Sequence, residues 1–128
     1  TAGPPRGKET VLVADDDEAV RDLVRNILTR SGYQVLEASG GEEAWRTAER
    51  YGGKIHLLVA DVVMPWMGGP ELFARLRSIQ PEMKVLYMSG HARSAGEDQV
   101  RGDPAMTFLE KPFSPGALLL KVRKLLSP

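Results

Sequence analysis

The sequence contains no cysteine among its 128 residues. This absence excludes a disulfide scaffold, a thiolate zinc site and a cysteine nucleophile. Long apolar segments are also missing, because runs such as Leu57–Ala60 and Ala117–Leu120 are far shorter than the roughly 20 residues that a membrane helix needs. No apolar stretch that would suit a signal peptide precedes Val11. We therefore expect a cytoplasmic domain that makes no contact with a membrane.

Neither sign of charge is in excess, since 17 basic side chains balance 17 acidic ones. A chain without net charge has no long-range field that attracts DNA or RNA, so we expect no direct nucleic-acid binding. The length and the hydrophobic content of 42% suit one globular domain with a single core. Residues 1–8 contain closely spaced glycine and proline, which predicts a flexible linker or tail before a domain at residues 9–128.

Short apolar runs alternate with apolar residues at helical spacing along the domain. Five runs have the composition of buried strands: Val11–Ala14, Tyr33–Ala38, Ile55–Ala60, Val85–Met88 and Thr107–Leu109. Each is followed by a predicted helix, with Leu23 of the first and Ile79 of the third expected on the apolar side. The fourth helix, at Ala92–Val100, is predicted to be short and weak, and the fifth begins after Ser114. This alternation predicts a doubly wound α/β fold, with a five-stranded parallel sheet in the flavodoxin-like order 2-1-3-4-5 and five helices.

Polar side chains lie where four of these strands end. Asp15–Asp17 follow the first strand, Asp61 the third and Ser89 the fourth, while the fifth runs into Lys111. Asp17 is most simply a helix cap, since carboxylates accept from the free N–H groups of a first turn. Ligands of such sheets bind outside the carboxyl ends of the strands, so we expect the other residues to form one site.

Three carboxylates at one sheet edge repel one another unless a cation or a proton lies between them. A hard divalent ion such as Mg²⁺ suits oxygen ligands of this kind, and Asp15, Asp16 and Asp61 are its candidate ligands. The ammonium of Lys111 and the hydroxyl of Ser89 are groups that hold phosphoryl oxygens. A carboxylate can itself accept a phosphoryl group, which makes Asp61 a candidate nucleophile.

At four places the sequence resembles the receiver domain of two-component response regulators. These places are VLVADDD at Val11–Asp17, DVVMPWMGG at Asp61–Gly69, MSG at Met88–Gly90 and FLEKPF at Phe108–Phe113. The resemblance extends from about Glu9 to Leu126, and the order of its motifs is highly specific. It implies a phosphoprotein that accepts a phosphoryl group from a histidine kinase or a histidine phosphotransfer domain.

The resemblance also implies a role for each site residue. Asp61 would be the phosphoacceptor, and Asp15 and Asp16 would hold Mg²⁺ with it, one of them through water. The backbone carbonyl of Val63 would be a further metal ligand, and Lys111 would contact the phosphoryl group.

Two further residues resemble the switch residues of that family. Ser89 would be the hydroxyl switch, although threonine is frequent at this position, and Phe108 would be the aromatic switch. The Lys111–Pro112 peptide bond would be cis. A homodimer would form, if at all, through the face made by the fourth helix, the fifth strand and the fifth helix.

Two other functions compete with a phosphoacceptor switch. A flavodoxin-like electron carrier needs a phosphate-binding loop of small and hydroxyl residues after the first strand, where Asp15–Asp17 would instead repel phosphate. A phosphatase with an aspartyl nucleophile would require an acid–base Asp two residues after Asp61, where Val63 stands.

Whether the chain is an enzyme stays open, since it would catalyse only its own phosphorylation and dephosphorylation. The glycine- and proline-containing segment at residues 1–8 and the segment at residues 85–91 resemble those of receivers fused behind a sensor kinase. We therefore expect this chain to be a domain of a hybrid histidine kinase.

Overall fold

The structure, a computed structural model, describes residues 6–90 and 106–127. Its centre is one parallel sheet of five strands in the order β2-β1-β3-β4-β5, which confirms the predicted order. The strands are β1 at Thr10–Ala14, β2 at Gln34–Ala38, β3 at Leu57–Asp61, β4 at Lys84–Ser89 and β5 at Met106–Glu110. The chain order reverses direction beside β1 and β3, so the ends of these two strands form the switch point where ligands bind in such sheets.

Four helices cover the two faces of the sheet within the described ranges. They are α1 at Glu18–Arg30, α2 at Gly41–Tyr51, α3 at Gly69–Leu76 and α4 at Pro115–Leu126. The helix predicted at Ala92–Val100 lies outside the described residues. In the part of the chain that the structure describes, none of the helices has the length and apolar character to cross a membrane.

The core consists of two layers, one on each face of the sheet. Alternate residues of β1 supply both, because successive side chains of a strand point to opposite faces. Leu12 and Ala14 pack with α2 and α3, whereas Val11 and Val13 pack with α1 and α4. All four are fully buried, and burying a side chain of the size of Leu or Val contributes about 1.5–3 kcal/mol to stability.

Polar caps begin two of the helices as the sequence predicted. The carboxylate of Asp17 accepts hydrogen bonds from the backbone N–H groups of Ala19 and Val20, at 2.9 and 3.3 Å. The hydroxyl of Ser114 accepts from the N–H of Ala117 at 3.1 Å. These contacts satisfy N–H groups that have no partner within the helix, so they define where each helix starts.

Two side chains that were expected on apolar helix faces are exposed instead. Leu23 is 47% exposed and Ile79 is 40% exposed. Helix α3 ends at Leu76, and the N–H of Ile79 then bonds the carbonyl of Leu76 only three residues back. This tighter turn rotates the chain, so Ile79 does not continue the apolar stripe. Leu23 lies beside Val20 and Pro112 at the edge of the apolar stripe of α1.

Candidate functional site

Three carboxylates converge at the carboxyl ends of β1 and β3. Ala14 pairs with Ala60 in the sheet, so the next residues along the two strands, Asp15 and Asp61, are neighbours. One carboxylate oxygen from each of Asp15, Asp16 and Asp61 lies within 4.8 Å of the others. Asp15 is fully buried, Asp61 is partly buried and Asp16 is exposed, so the cluster runs from the interior to the surface.

Lys111 faces two members of this cluster. Its Nζ atom lies 3.2 Å from Oδ2 of Asp15 and 3.1 Å from Oδ2 of Asp61. The backbone holds the lysine in place, since the N–H of Lys111 donates to the carbonyl of Ser89 at 2.8 Å. The peptide bond between Lys111 and Pro112 is cis, as predicted.

The charges in the site are not balanced by the lysine alone. Burial raises the pKa of Asp15, although the N–H of Asp17 and the ammonium of Lys111 both favour its ionised form. Burial by itself lowers the pKa of Lys111, but the carboxylates of Asp15 and Asp61 raise it above its ordinary value, so the side chain stays charged. The site thus holds three carboxylates and one ammonium, which contacts two of them. Their oxygen donors fit a hard divalent cation, which would remove the remaining repulsion.

The loop after Asp61 is folded tightly against the end of β3. The N–H of Val63 donates to Oδ1 of Asp61 at 3.3 Å, and the N–H of Gly69 donates to the carbonyl of Val62 at 3.0 Å. A Cβ atom on Gly69 would lie 2.5 Å from the backbone oxygen of Asp61, closer than side chains come to backbone. Glycine at this position therefore lets the loop approach the strand that carries Asp61. Trp66, at the tip of the loop, is fully exposed and has a positive φ of 72°.

The backbone of Asp15 has a partner that the sequence interpretation missed. Nη1 of Arg21, on α1, donates to the carbonyl oxygen of Asp15 at 2.7 Å. The guanidinium also pairs with Glu37 of β2, at 3.8 Å. An arginine one turn into the helix that follows a strand-end carboxylate is the pattern that could have indicated this contact.

Ser89 and Phe108, the two residues that resemble switch residues, lie on neighbouring strands. Ser89 is the last residue of β4 and is buried. Phe108 of β5 pairs in register with Tyr87, and the two rings are 5.8 Å apart. Ser89 follows Tyr87 by two residues, so its side chain points to the same face of the sheet as the Tyr87 ring. Both residues therefore lie on the face that carries α2 and α3.

Seven residues were predicted for the site, and the structure brings four of their side chains together. Those four are Asp15, Asp16, Asp61 and Lys111. Ser89 belongs to the same edge, because Asp61 pairs with the residue before it, Met88. The metal-ligand role of the Val63 carbonyl stays a prediction.

Comparison with known proteins gives one consistent family. The model of the response regulator receiver domain matches residues 11–123. The sensor kinase CckA of Brucella abortus is 40% identical over 120 residues, which are 94% of this chain and 13% of the kinase. The transcriptional regulatory protein PhoP of Bacillus subtilis is 36% identical over 118 residues, which are 91% of this chain and 48% of that protein. The chain thus spans less than half the length of either relative.

Solved structures agree with the sequence relatives. The receiver domain of the hybrid histidine kinase CckA superposes with a TM-score of 0.79 at 35% identity, over 92% of this chain and 99% of that domain. The chemotaxis protein CheY4 of Vibrio cholerae superposes with a TM-score of 0.83 at 28% identity, over 94% of this chain and all of that one.

Proposed function

Because this chain belongs to the response regulator receiver domain family and has the phosphoacceptor role of that family, we propose that Asp61 is the residue that accepts the phosphoryl group. The observation that carries this assignment is the position of its carboxylate. Asp61 ends β3 at the switch point of the sheet, its side chain is 17% exposed, and it contacts the ammonium of Lys111 at 3.1 Å. Asp15 is sealed inside, so Asp61 is the carboxylate that combines access to a donor with a cationic partner.

The same oxygen donors would hold a metal ion. We assign Mg²⁺ to the carboxylates of Asp15, Asp16 and Asp61, together with the backbone carbonyl of Val63. When bound, Mg²⁺ supplies positive charge against the phosphoryl oxygens. The divalent ion also relieves the repulsion among the three carboxylates, which is why site and metal fit each other.

The transfer needs few other groups. A carboxylate oxygen of Asp61 attacks the phosphorus of a phosphohistidine and forms a P–O bond, while the bond from phosphorus to the histidine nitrogen breaks. The ammonium of Lys111 already lies 3.1 Å from Asp61, and it can donate hydrogen bonds to a phosphoryl oxygen. The hydroxyl of Ser89, at the same edge, is the second proposed donor to that group.

Receiver domains take their phosphoryl groups from histidine kinases. We assign as the donor here the phosphohistidine of a sensor kinase or of a histidine phosphotransfer domain. The match to 13% of the sensor kinase CckA supports a chain that is one domain of a hybrid kinase. The proposed homodimer would use a face that includes residues 92–100, which lie outside the described ranges.

The electron-carrier and phosphatase alternatives find no support in the site. The end of β1 carries carboxylates where a flavin phosphate would have to bind, and Val63 has no acid–base group. Both the family model and the solved structures match receiver domains.

The assignment is tested by phosphorylation with acetyl phosphate and Mg²⁺, followed by intact-protein mass spectrometry. The wild-type chain should gain one phosphoryl group, and Asp61→Asn should gain none because the amide is a poor nucleophile. Asp22→Asn, on the surface of α1, is the matched control and should label like wild type. Labelling of Asp61→Asn at the wild-type level would show that another residue is the acceptor.

A further inference from the structure

Arg21 holds the chain at the point where β1 leaves the sheet. Its Nη1 atom donates to the carbonyl oxygen of Asp15 at 2.7 Å, and its side chain is only 16% exposed. The last sheet hydrogen bond before this point runs from the N–H of Asp15 to the carbonyl of Ala38, at 3.2 Å. The carbonyl of Asp15 therefore lies beyond the regular ladder, and the guanidinium takes the place of a strand partner.

This carbonyl belongs to the peptide group between Asp15 and Asp16. A peptide group is planar, so fixing its oxygen also fixes the direction in which the chain enters Asp16. A second contact acts on the same turn, because the N–H of Asp17 donates to Oδ1 of Asp15 at 2.8 Å. Together the two hydrogen bonds hold the Asp15 carboxylate and the backbone from which the Asp16 side chain extends toward the acidic cluster.

The charge of Arg21 is balanced on its far side. Nε of Arg21 lies 3.8 Å from Glu37, and Nε of Arg25 lies 3.1 Å from the same carboxylate. Arg25 also lies 3.8 Å from Asp22, so the two arginines and the two carboxylates form a group without net charge. A lone cation near a metal site weakens metal binding by repulsion, whereas a neutral group has little of that effect. The contribution of Arg21 to the site is for this reason one of geometry.

We infer that Arg21 is a positioning residue of the metal site, which sets the Mg²⁺ affinity by holding the Asp15–Asp16 peptide group in its binding orientation. Groups that orient metal ligands commonly change metal affinity by about 10- to 100-fold when they are removed. This inference rests on the proposed function only for the identity of the metal and for its link to phosphorylation at Asp61.

The matched control is Arg25, which belongs to the same group of ion pairs around Glu37 as Arg21. Arg25 pairs with Glu37 at a shorter distance than Arg21 does, and it lies four residues further along the same helix. Removing Arg25 thus disturbs Glu37 and α1 while leaving the Arg21 contact to Asp15 in place. A merely structural role of the ion-pair group would affect both arginine variants alike.

The experiment is calorimetric titration of Mg²⁺ into the metal-free chain, with wild type, Arg21→Met and Arg25→Met. Arg21→Met should raise the Kd for Mg²⁺ by about tenfold. Arg25→Met should stay within about twofold of wild type, as for a surface substitution. Thermal unfolding without metal shows whether each variant is folded, and Arg21→Gln, which also loses the reach to Asp15, is used if Arg21→Met does not fold.

Phosphorylation by acetyl phosphate supplies the second measurement. Arg21→Met should require a higher Mg²⁺ concentration than wild type to reach half of its maximal phosphorylation rate. At saturating Mg²⁺ its rate should equal that of wild type. Equal Mg²⁺ affinity in the Arg21 and Arg25 variants, whether both are unchanged or both are weakened, would overturn the positioning role. A wild-type chain that binds Mg²⁺ but gains no phosphoryl group would instead contradict the proposed function, and the calorimetric comparison would still decide the role of Arg21.

Discussion

At the scale of single residues, Asp15 is a charged group in a place that disfavours charge. The side chain is fully buried, and burial raises its pKa above the usual value. An acid whose pKa is higher in the folded than in the unfolded chain makes its full contribution to stability below its unfolded pKa, and this contribution is lost as the pH rises through the folded value. The ionised form of Asp15 therefore opposes folding until a cation compensates its charge.

Asp15→Asn should make the metal-free chain more stable than wild type at pH 7. The amide keeps an oxygen to accept from the N–H of Asp17, and Lys111 keeps its contact with Asp61. We expect a gain in the free energy of unfolding, because the amide carries no charge that burial would have to desolvate. Urea unfolding in the presence of a chelator measures this difference.

The same variant should lose the response to metal. Mg²⁺ should raise the unfolding midpoint of wild type, because a ligand that binds only the folded state stabilises it. Asp15→Asn should show a much smaller increase, and Asp22→Asn should behave like wild type. A metal-free Asp15→Asn chain that unfolds more easily than wild type would mean that the Lys111 ion pair outweighs the cost of burying the carboxylate.

At the scale of elements, β4 and β5 connect the acidic edge of the sheet to the ring of Phe108. Ser89 ends β4, and the Phe108 ring packs 5.8 Å from the ring of Tyr87 on the same face of the sheet. We propose that a phosphoryl group on Asp61 attracts the Ser89 hydroxyl by a charge-assisted hydrogen bond, and that Phe108 moves in response. The phosphoryl group then shifts the population between two arrangements of β5.

Ser89→Ala should separate phosphorylation from this response. The variant should still be labelled on Asp61, because Lys111 and the acidic cluster are intact, but the phosphorylation-dependent change in hydrogen exchange across Met106–Glu110 should fall by more than half. Ser89→Thr keeps the hydroxyl and should retain the change, so it is the matched control. An equally large exchange response in Ser89→Ala and wild type would exclude this route.

At the scale of the whole molecule, one ion pair joins the start of the domain to its last helix. Arg123 of α4 lies 2.6 Å from Oε2 of Glu9, and it also donates to the backbone oxygen of Arg6 at 3.1 Å. The hydrogen bond from Arg123 lowers the pKa of Glu9 to about 2. The boundary between linker and domain near residue 9 stays a prediction, while these contacts show that the chain from Arg6 onward is bonded to α4.

The Glu9–Arg123 pair should make stability depend on acid pH. An acid with a folded pKa below its unfolded value stabilises the fold above the unfolded pKa, and the contribution is lost as the pH falls through the folded value. Here that window runs from the ordinary glutamate pKa of 4.5 down to about 2. Because both side chains are partly solvated, we expect about 1 kcal/mol rather than the full value of the shift.

Glu9→Gln should therefore unfold about 1 kcal/mol more easily at pH 7 and differ little from wild type near pH 2. Urea unfolding across this pH range measures the difference. Glu82→Gln removes a carboxylate from the exposed pair with Lys54 and should have almost no effect at either pH. A difference between Glu9→Gln and wild type that is the same at both pH values would show that packing, and not the charge of Glu9, is responsible.

The sequence by itself determined the elements and the edge at which the chemistry lies. Apolar periodicity is a local property, so the five strands and the caps Asp17 and Ser114 could be predicted from short segments. The strand order was predicted correctly because it is the common order for a doubly wound sheet of this size. In a parallel sheet all strands end at one edge, so the sequence also placed Asp15, Asp16, Asp61 and Lys111 together before any distance was known. The same periodicity could not tell that Leu23 and Ile79 would be exposed, because exposure depends on what packs against a helix and where its last turn tightens.

Tertiary structure decided the properties that depend on contacts between distant segments. Arg123 and Glu9 are 114 residues apart, so no local pattern indicates that they form a pair. The complete burial of Asp15 beside the partly exposed Asp61 likewise follows from the packing of neighbouring strands and helices. The contact of Arg21 with the Asp15 carbonyl requires the angle at which α1 leaves β1, and that angle is set by the packing of α1 against the sheet. Sequence thus named the chemical groups, and the packing of distant elements assigned each one its charge environment and its partner.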